Sequence, residues 1–449
     1  MEQKRSKFST WLRNSITARM MVVGFLLLIL LIPLEFVKSL IAERAYRQKE
    51  VISEINSKWG NEVLLSGPTL QIPYKVYKDI KTYDEQLKKY IVTQDVIIQN
   101  AYFFPEELTI DSQVDTKPLN RSIYKSVVFT ADLAVKGSFP EIDFTNYNIK
   151  NEDVLWNKAS VFIETSNLKG IKNTLQIKLG KKELKMSSQY SEKTLNTIKS
   201  DTPFDYREIA EERADFSFDI KVNGSESLKF IPIANKTSVK MESNWHSPGF
   251  DGEFLPEDHS KVISQEGFKA AWNIFQLNRQ FEQSFFGELP YLSSFAFGTN
   301  FIIPVDEYQK TERTSKYGFM VIGLTLLVFL MIQISSKIYI HPFQYVMIGL
   351  ALVMFYTLLI AVSEHSSFLK AYLIAGASVL GLITLYSKSI LKGFKFPLLV
   401  CFSLSALYGF IYVIIQLEHY ALLTGSIGMF LILAIIMFTS RKIDWDNQG

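Results

Sequence analysis

The chain has 449 residues, a formal net charge of +3 and a single cysteine, Cys401. That charge is too small to imply a nucleic-acid partner, and no nucleic-acid motif occurs. One thiol excludes an internal disulfide, so any soluble domain depends on its core alone. Read in chain order, a basic tail (residues 1–19, with Lys4, Arg5, Lys7, Arg13 and Arg19) precedes an apolar stretch over residues 20–38. About 20 apolar residues span a bilayer. No small-x-small cleavage site follows, so the stretch reads as an uncleaved anchor. From Ser39 to Trp59 the apolar positions Ile41, Ala45, Ile52, Ile55 and Trp59 fall near one helical face, with Gly60 as the stop.

Residues 39–300 read as a large polar domain. Gly67-Pro68 and Pro73 mark a change to extended structure. Strands are predicted at Lys125–Phe139, Ser160–Ser166, Asn173–Gly180 and Asp215–Ile233, from alternation and β-branched or aromatic content. Gly137-Ser138 and Asn223-Gly224 read as turns. The polar runs YDEQLKKY and SQYSEKTLNTIKSDTPFDYRE read as loops or short surface helices. NWHSPGFDGEFLP reads as an irregular loop. After it, Phe268, Ala271, Trp272 and Phe275 describe one helical face, predicting a helix laid over the sheet.

Residues 301–316 read as a juxtamembrane helix. Pro304 suits its first position, and Asp306 and Glu307 its positive first turn. Asp306 with Lys310, and Glu312 with Lys316, are acid-before-base pairs at i,i+4. Residues 317–439 then hold five apolar spans, at about 317–334, 343–362, 370–386, 396–417 and 421–439, before a short tail at 440–449. His341-Pro342 marks a helix start. With the N-terminus inside, the short inner loops carry Lys337, Lys388, Lys392, Lys395, Arg441 and Lys442, and the outer loops only Lys370. Small residues at close-packing spacing, Ala371 with Ala375, Ala377 with Gly381 and Ala421 with Gly425, predict a compact bundle. The fold class expected is thus a six-helix membrane bundle, one helix N-terminal and five C-terminal, with a large inserted mainly-β (α+β) domain.

The chemistry-bearing residues are few. Glu364-His365 and Glu418-His419 fall at outer ends of spans, where two Glu and two His can hold a metal or cap helix ends against the soluble domain. Adjacent residues on a helix point about 100° apart, which favours the capping use. No serine stands in a nucleophile motif, and no glycine-rich loop suits a nucleotide phosphate. No cofactor, metal site or catalytic residue is expected. Arg313 and Lys316 are expected to meet lipid headgroups or to bridge the juxtamembrane helix to Glu364 and Glu418.

The segments PVDEYQKTERTSKYG, HPFQYVMIGLALVMFY, SEH, AYLIAGA, LEHYALLTGSIGMF and RKIDW, in that order, with NWHSPGFDGEFLP and GFKAAW before them, resemble the CreD family of bacterial inner-membrane proteins. The resemblance covers most of the chain. It implies an inner-membrane protein with a role in cell-envelope integrity, expressed under a carbon-source-responsive two-component system and linked to colicin tolerance. It implies no settled biochemical activity. The function expected is a non-enzymatic envelope-integrity protein whose outward domain binds an unidentified envelope component. Its coupling surface is expected at Asp306, Tyr308, Gln309, Arg313, Lys316, Glu364, His365, Glu418 and His419. Two alternatives stand beside it. A lipid or small-molecule transporter of flippase type needs a hydrophobic cavity or a polar membrane groove. A membrane-embedded metallohydrolase needs both Glu-His pairs to converge.

Overall fold

The computed structural model describes residues 15–84, 89–190, 194–209, 213–301, 303, 307–336, 338–391, 393–417 and 420–441. The chain forms two compact units, one of Met1–Lys49 with Val305–Gly449, the other of Glu50–Pro304.

The first helix, α1 (Ile16–Trp59), is 44 residues long and has Pro33 within it. Its apolar first half gives way to a run rich in Ala, Glu, Lys and Arg, all strong helix formers. The expected stop is observed. Gly60 takes a positive φ, as does Asn61, and both N–H groups donate to the Asn56 carbonyl at 2.7 and 2.8 Å. The other helices of the first unit are α2 (Glu307–Lys316), α3 (Gly318–Ser336), α4 (Pro342–Ser363), α5 (Phe368–Ile390), α6 (Lys395–Gln416) and α7 (Ala421–Ser440). Six of the seven, all but α2, are long and apolar enough to cross a membrane. His341 caps α4, its Nδ1 accepting from the Phe343 N–H at 3.2 Å with Pro342 at the first position.

Within this unit α1 packs by its leucines. Leu30 and Leu34, both buried, lie where a Cβ on Gly349 and on Gly318 would sit. Gly428 is a third close-packing position, where a Cβ would meet the Phe410 ring. Of the small pairs expected from spacing, Ala371 and Ala375 are buried. Ala377 is exposed, Gly381 faces open space, and Gly425 has only Ile414 near it.

The second unit carries β1 (Val63–Asp84), β2 (Lys89–Phe103), β3 (Glu107–Arg121), β4 (Tyr124–Phe139), β5 (Ser160–Thr165), β6 (Gln176–Leu179), β7 (Lys182–Gln189) and β8 (Asn196–Ser200). It continues with β9 (Ala214–Ser225), β10 (Ser227–Phe230), β11 (Lys236–Ser243), β12 (Pro248–Gly252), β13 (Val262–Ser264), β14 (Gly267–Phe275), β15 (Ser284–Phe286) and β16 (Phe297–Phe301). The main path runs β12-β16-β10-β1-β5-β8-β7-β6-β9-β4-β3-β11-β14-β13, with β2 and β15 branching from β1. Its two ends meet through aromatic rings: Trp272 of β14 lies 5.7 Å from Phe297 of β16, and Phe250 of β12 lies 5.7 Å from Phe268 of β14. The sheet thereby nearly closes around one core, filled by Trp272, Phe104, Phe129, Phe139, Phe230 and Phe297.

Four expectations are corrected here. Residues 267–275 form a strand, not a helix; Phe268, Ala270, Trp272 and Ile274 point inward. Gly137-Ser138 and Asn223-Gly224 lie inside β4 and β9, not at turns. There glycine makes room: a Cβ on Gly137 would meet the Glu107 carbonyl, and one on Gly224 the Phe129 ring. NWHSPGFDGEFLP is not wholly irregular, since β12 lies within it and pairs with β16. Phe301 ends a strand rather than starting the juxtamembrane helix, which is described from Glu307; Pro304 and Asp306 lie outside the described residues.

The last turns of α1 belong to this second unit and are fastened to its sheet. Ser126 Oγ donates to buried Asn56 Oδ1 at 2.6 Å, and Asn56 Nδ2 donates to the Glu226 carboxylate. Trp59 Nε1 donates to the Phe129 carbonyl at 3.2 Å. Arg121 pairs with Glu54 at 2.6 Å.

Candidate functional site

Helix α2 is short and polar, yet one side of it is buried: Tyr308, Thr311, Thr314 and Ser315. Polar residues survive burial when their hydroxyls are satisfied. Thr311 Oγ1 donates to the Glu307 carbonyl at 2.8 Å, Thr314 Oγ1 to Lys310 at 2.7 Å and Ser315 Oγ to Glu312 at 2.8 Å. Gln309, Arg313 and Lys316 occupy the exposed side.

Two carboxylates hold α2 in the bundle. Glu307 Oε2 accepts from the backbone N–H of Phe368 at 2.8 Å. This caps α5, whose own N-cap residue Ser367 makes no side-chain bond. Lys310 Nζ sits 5.9 Å from the centre of the Phe368 ring. The second carboxylate, Glu364, ends α4 and is 15% exposed. It accepts from Tyr308 Oη at 3.3 Å and lies 3.7 Å from Arg44 Nε of α1. Four helices of this unit, α1, α2, α4 and α5, therefore meet at one polar clamp.

The clamp differs in detail from the expected coupling surface. Of the named residues, Tyr308 and Glu364 are brought together. A cation at Glu364 is Arg44, while Lys316 pairs with Glu312 at 3.2 Å within its own helix. His365 is exposed, and its backbone N–H donates to the Val362 carbonyl at 3.1 Å. Asp306, Glu418 and His419 lie outside the described residues. Among the described residues no three His, Cys, Asp or Glu side chains stand where one metal ion could bind them. Arg44 and Glu307's capping role escaped sequence reasoning. Arg44 gave no signal, since it lies 320 residues from its partner. Glu307 precedes a helix that lacks a working cap of its own, and such a lack is visible only in three dimensions.

A second feature lies in the β unit. An open groove of about 490 Å³ runs beside β11, β14 and β13, edged by Asp115, Glu242, Asn244 and Lys269. Its polar edge is held in place: Asn244 Nδ2 donates to Asp115 at 2.8 Å, and Lys269 pairs with Glu242 at 3.0 Å.

Six apolar helices among the described residues, three of them meeting at a polar clamp with α2, and a mainly-β unit inserted after the first, define a multi-span membrane protein. The chain belongs to the family described as inner membrane protein CreD, whose model matches residues 15–446. A relative, inner membrane protein CreD of Escherichia coli (strain K12), is 28% identical over 437 residues, covering 93% of this chain and 91% of its own.

Proposed function

We propose that this is a non-enzymatic inner-membrane protein that supports cell-envelope integrity, with cytoplasmic termini and a periplasmic β unit that binds an envelope component. The single observation that carries it is the clamp. Arg44 lies shortly before the chain enters the β unit, and Glu307 shortly after it leaves. Arg44 meets the end of α4 and Glu307 the start of α5. A load carried through either connection therefore arrives at neighbouring helix ends of the bundle. Among the described residues the clamp's carboxylates are engaged by its own groups, Glu364 by Tyr308 and Arg44 and Glu307 by the Phe368 N–H. A transport reading draws less support, because the centre of the β unit, where a lipid cavity would lie, is filled by Trp272, Phe129, Phe139, Phe230 and Phe297.

The test is a photoreactive residue at Gln309, on the exposed side of α2, in living cells. Tyr308 is unsuited, because it is buried against the bundle. A discrete protein or glycan adduct supports the reading. Lipid as the sole captured species sinks partner binding at this helix.

A further inference from the structure

Strand β2 outruns the sheet that it belongs to. Its ladder with β1 is unbroken from Leu70 opposite Phe103 to Asp84 opposite Lys89. The flanking partners stop much earlier. On β1, β5 reaches only to Gln71, and one bridge joins Tyr74 to Val154. On β2, β15 covers Ala101, Tyr102 and Phe103, and the Gly287 N–H then donates to the Asn100 carbonyl at 2.8 Å. Among the described residues no strand pairs with the outer edge of β2 from Lys89 to Gln99. The ribbon is a two-stranded arm.

Such an arm exposes a row of backbone donors and acceptors, and its side chains make the edge more adhesive still. Tyr90, Val92, Val96 and Ile98 share one face, at 69%, 54%, 49% and 57% exposure. The stretch contains no proline and no break in register. Proteins usually blunt a long apolar edge of this kind or cover it.

The charges say what covers it. Lys89 and Asp95 are the charged residues on the outer strand, both exposed. If two copies of β2 run antiparallel about Val92, Lys89 of each stands opposite Asp95 of the other, Tyr90 stands opposite Gln94, and Val92 meets Val92. A register centred on Asp95 would place two carboxylates together, which is destabilising. The edge is thus self-complementary in one register. We propose that β2 pairs edge to edge with β2 of a second copy, antiparallel about Val92, making the protein a homodimer joined through its ribbon arms. Each arm extends the other's two strands into a four-stranded sheet, satisfying both exposed edges at once.

The test uses the full chain in its native membrane with Cys401→Ser, which removes the sole thiol. Val92→Cys is then added, and in separate variants Tyr90→Cys and Gln94→Cys. Directly opposed residues lie about 4.5–5.5 Å apart between Cα atoms, within disulfide reach. Two copies of residue 90 would be roughly 14 Å apart in this register, beyond it. Mild oxidation is expected to give a disulfide dimer for Val92→Cys. Tyr90→Cys and Gln94→Cys are expected to stay monomeric alone and to crosslink when co-expressed. Equal crosslinking at all three positions, a mixed disulfide with a different protein, or no dimer at position 92 overturns the proposal. All three sites are exposed, and a maleimide labelling control distinguishes a failed pairing from a missing protein.

Discussion

Glu307 and Glu364 do different work, and single substitutions separate them. Glu307 accepts from a backbone N–H at the start of α5, so Glu307→Ala removes an N-cap and is expected to cost about 0.5–2 kcal/mol. Glu307→Gln keeps an acceptor and should cost less. Glu364→Gln retains the bond from Tyr308 but loses the charge facing Arg44, which is 45% exposed. An ion pair so open to solvent contributes about 0–1 kcal/mol, so that variant should stay near the parent. Thermal melts of the protein in detergent rank the three; Glu364→Gln falling below Glu307→Ala would show that the charge facing Arg44, not the cap on α5, dominates the clamp. Glu226 gives the pH prediction. Burial, and after it the nearby Glu62, push its carboxyl above the ordinary value, against the opposing bond from Asn56. The folded chain then holds this proton more tightly than the unfolded chain. Its contribution favours folding below the ordinary glutamate value and is lost as pH rises through the raised one. Glu226→Gln should flatten the dependence of melting temperature on pH just above 4.5, and an unchanged slope would remove Glu226 from the account.

The element that sequence reasoning mistook is β14. GFKAAWNIF satisfies two periods at once: Phe268, Ala271, Trp272 and Phe275 make a helical face, while Phe268, Ala270, Trp272 and Ile274 make a strand face. Nine residues are too few for periodicity to choose between them. Pairing chooses, because β11 bonds along the whole of β14, and no local pattern announces a partner some thirty residues away. The two readings part at adjacent positions. Ile274→Ala is expected to cost about 2–5 kcal/mol, since Ile274 is buried. Phe275→Ala should change stability by no more than about 0.5 kcal/mol, since Phe275 is 48% exposed. Denaturant unfolding followed by tryptophan fluorescence measures both; the reverse ranking would restore the helix. Elsewhere the long strands were legible where alternation was strict, as in β4 and β9. The glycines misled, because a turn and a close approach both demand the absence of a Cβ. In the bundle, likewise, spacing alone favoured Ala377 and Gly381, whereas the contacts fall on Gly318 and Gly349, which are single glycines facing leucines of a distant helix.

At the scale of the whole molecule, apolar length made the six spans legible, and the polar interior of the chain made the inserted unit legible. The clamp was legible only in part, because Tyr308 and Glu364 stood out by type and place while their partner Arg44 lay in another helix. The orientation we propose rests on charge. In sequence, Lys337, Lys388, Lys392, Lys395, Arg441 and Lys442 lie near the span ends of one side, and Lys370 alone lies near those of the other. Under our proposal the first group lies inside, with both termini in the cytoplasm and the β unit in the periplasm. We weigh the short loops here, because Arg44, Arg47, Arg313 and Lys316 flank a long inserted domain, where the charge rule has little force. A membrane-impermeant maleimide tests it in the Cys401→Ser background. Tyr190 is 92% exposed in the β unit, so Tyr190→Cys should label in intact spheroplasts. Lys388→Cys, beyond the far end of α5's apolar core, should label only after the membrane is opened. Reversal of that pattern would turn the molecule over. The β unit would then face the cytoplasm, and a periplasmic envelope component would no longer be within its reach.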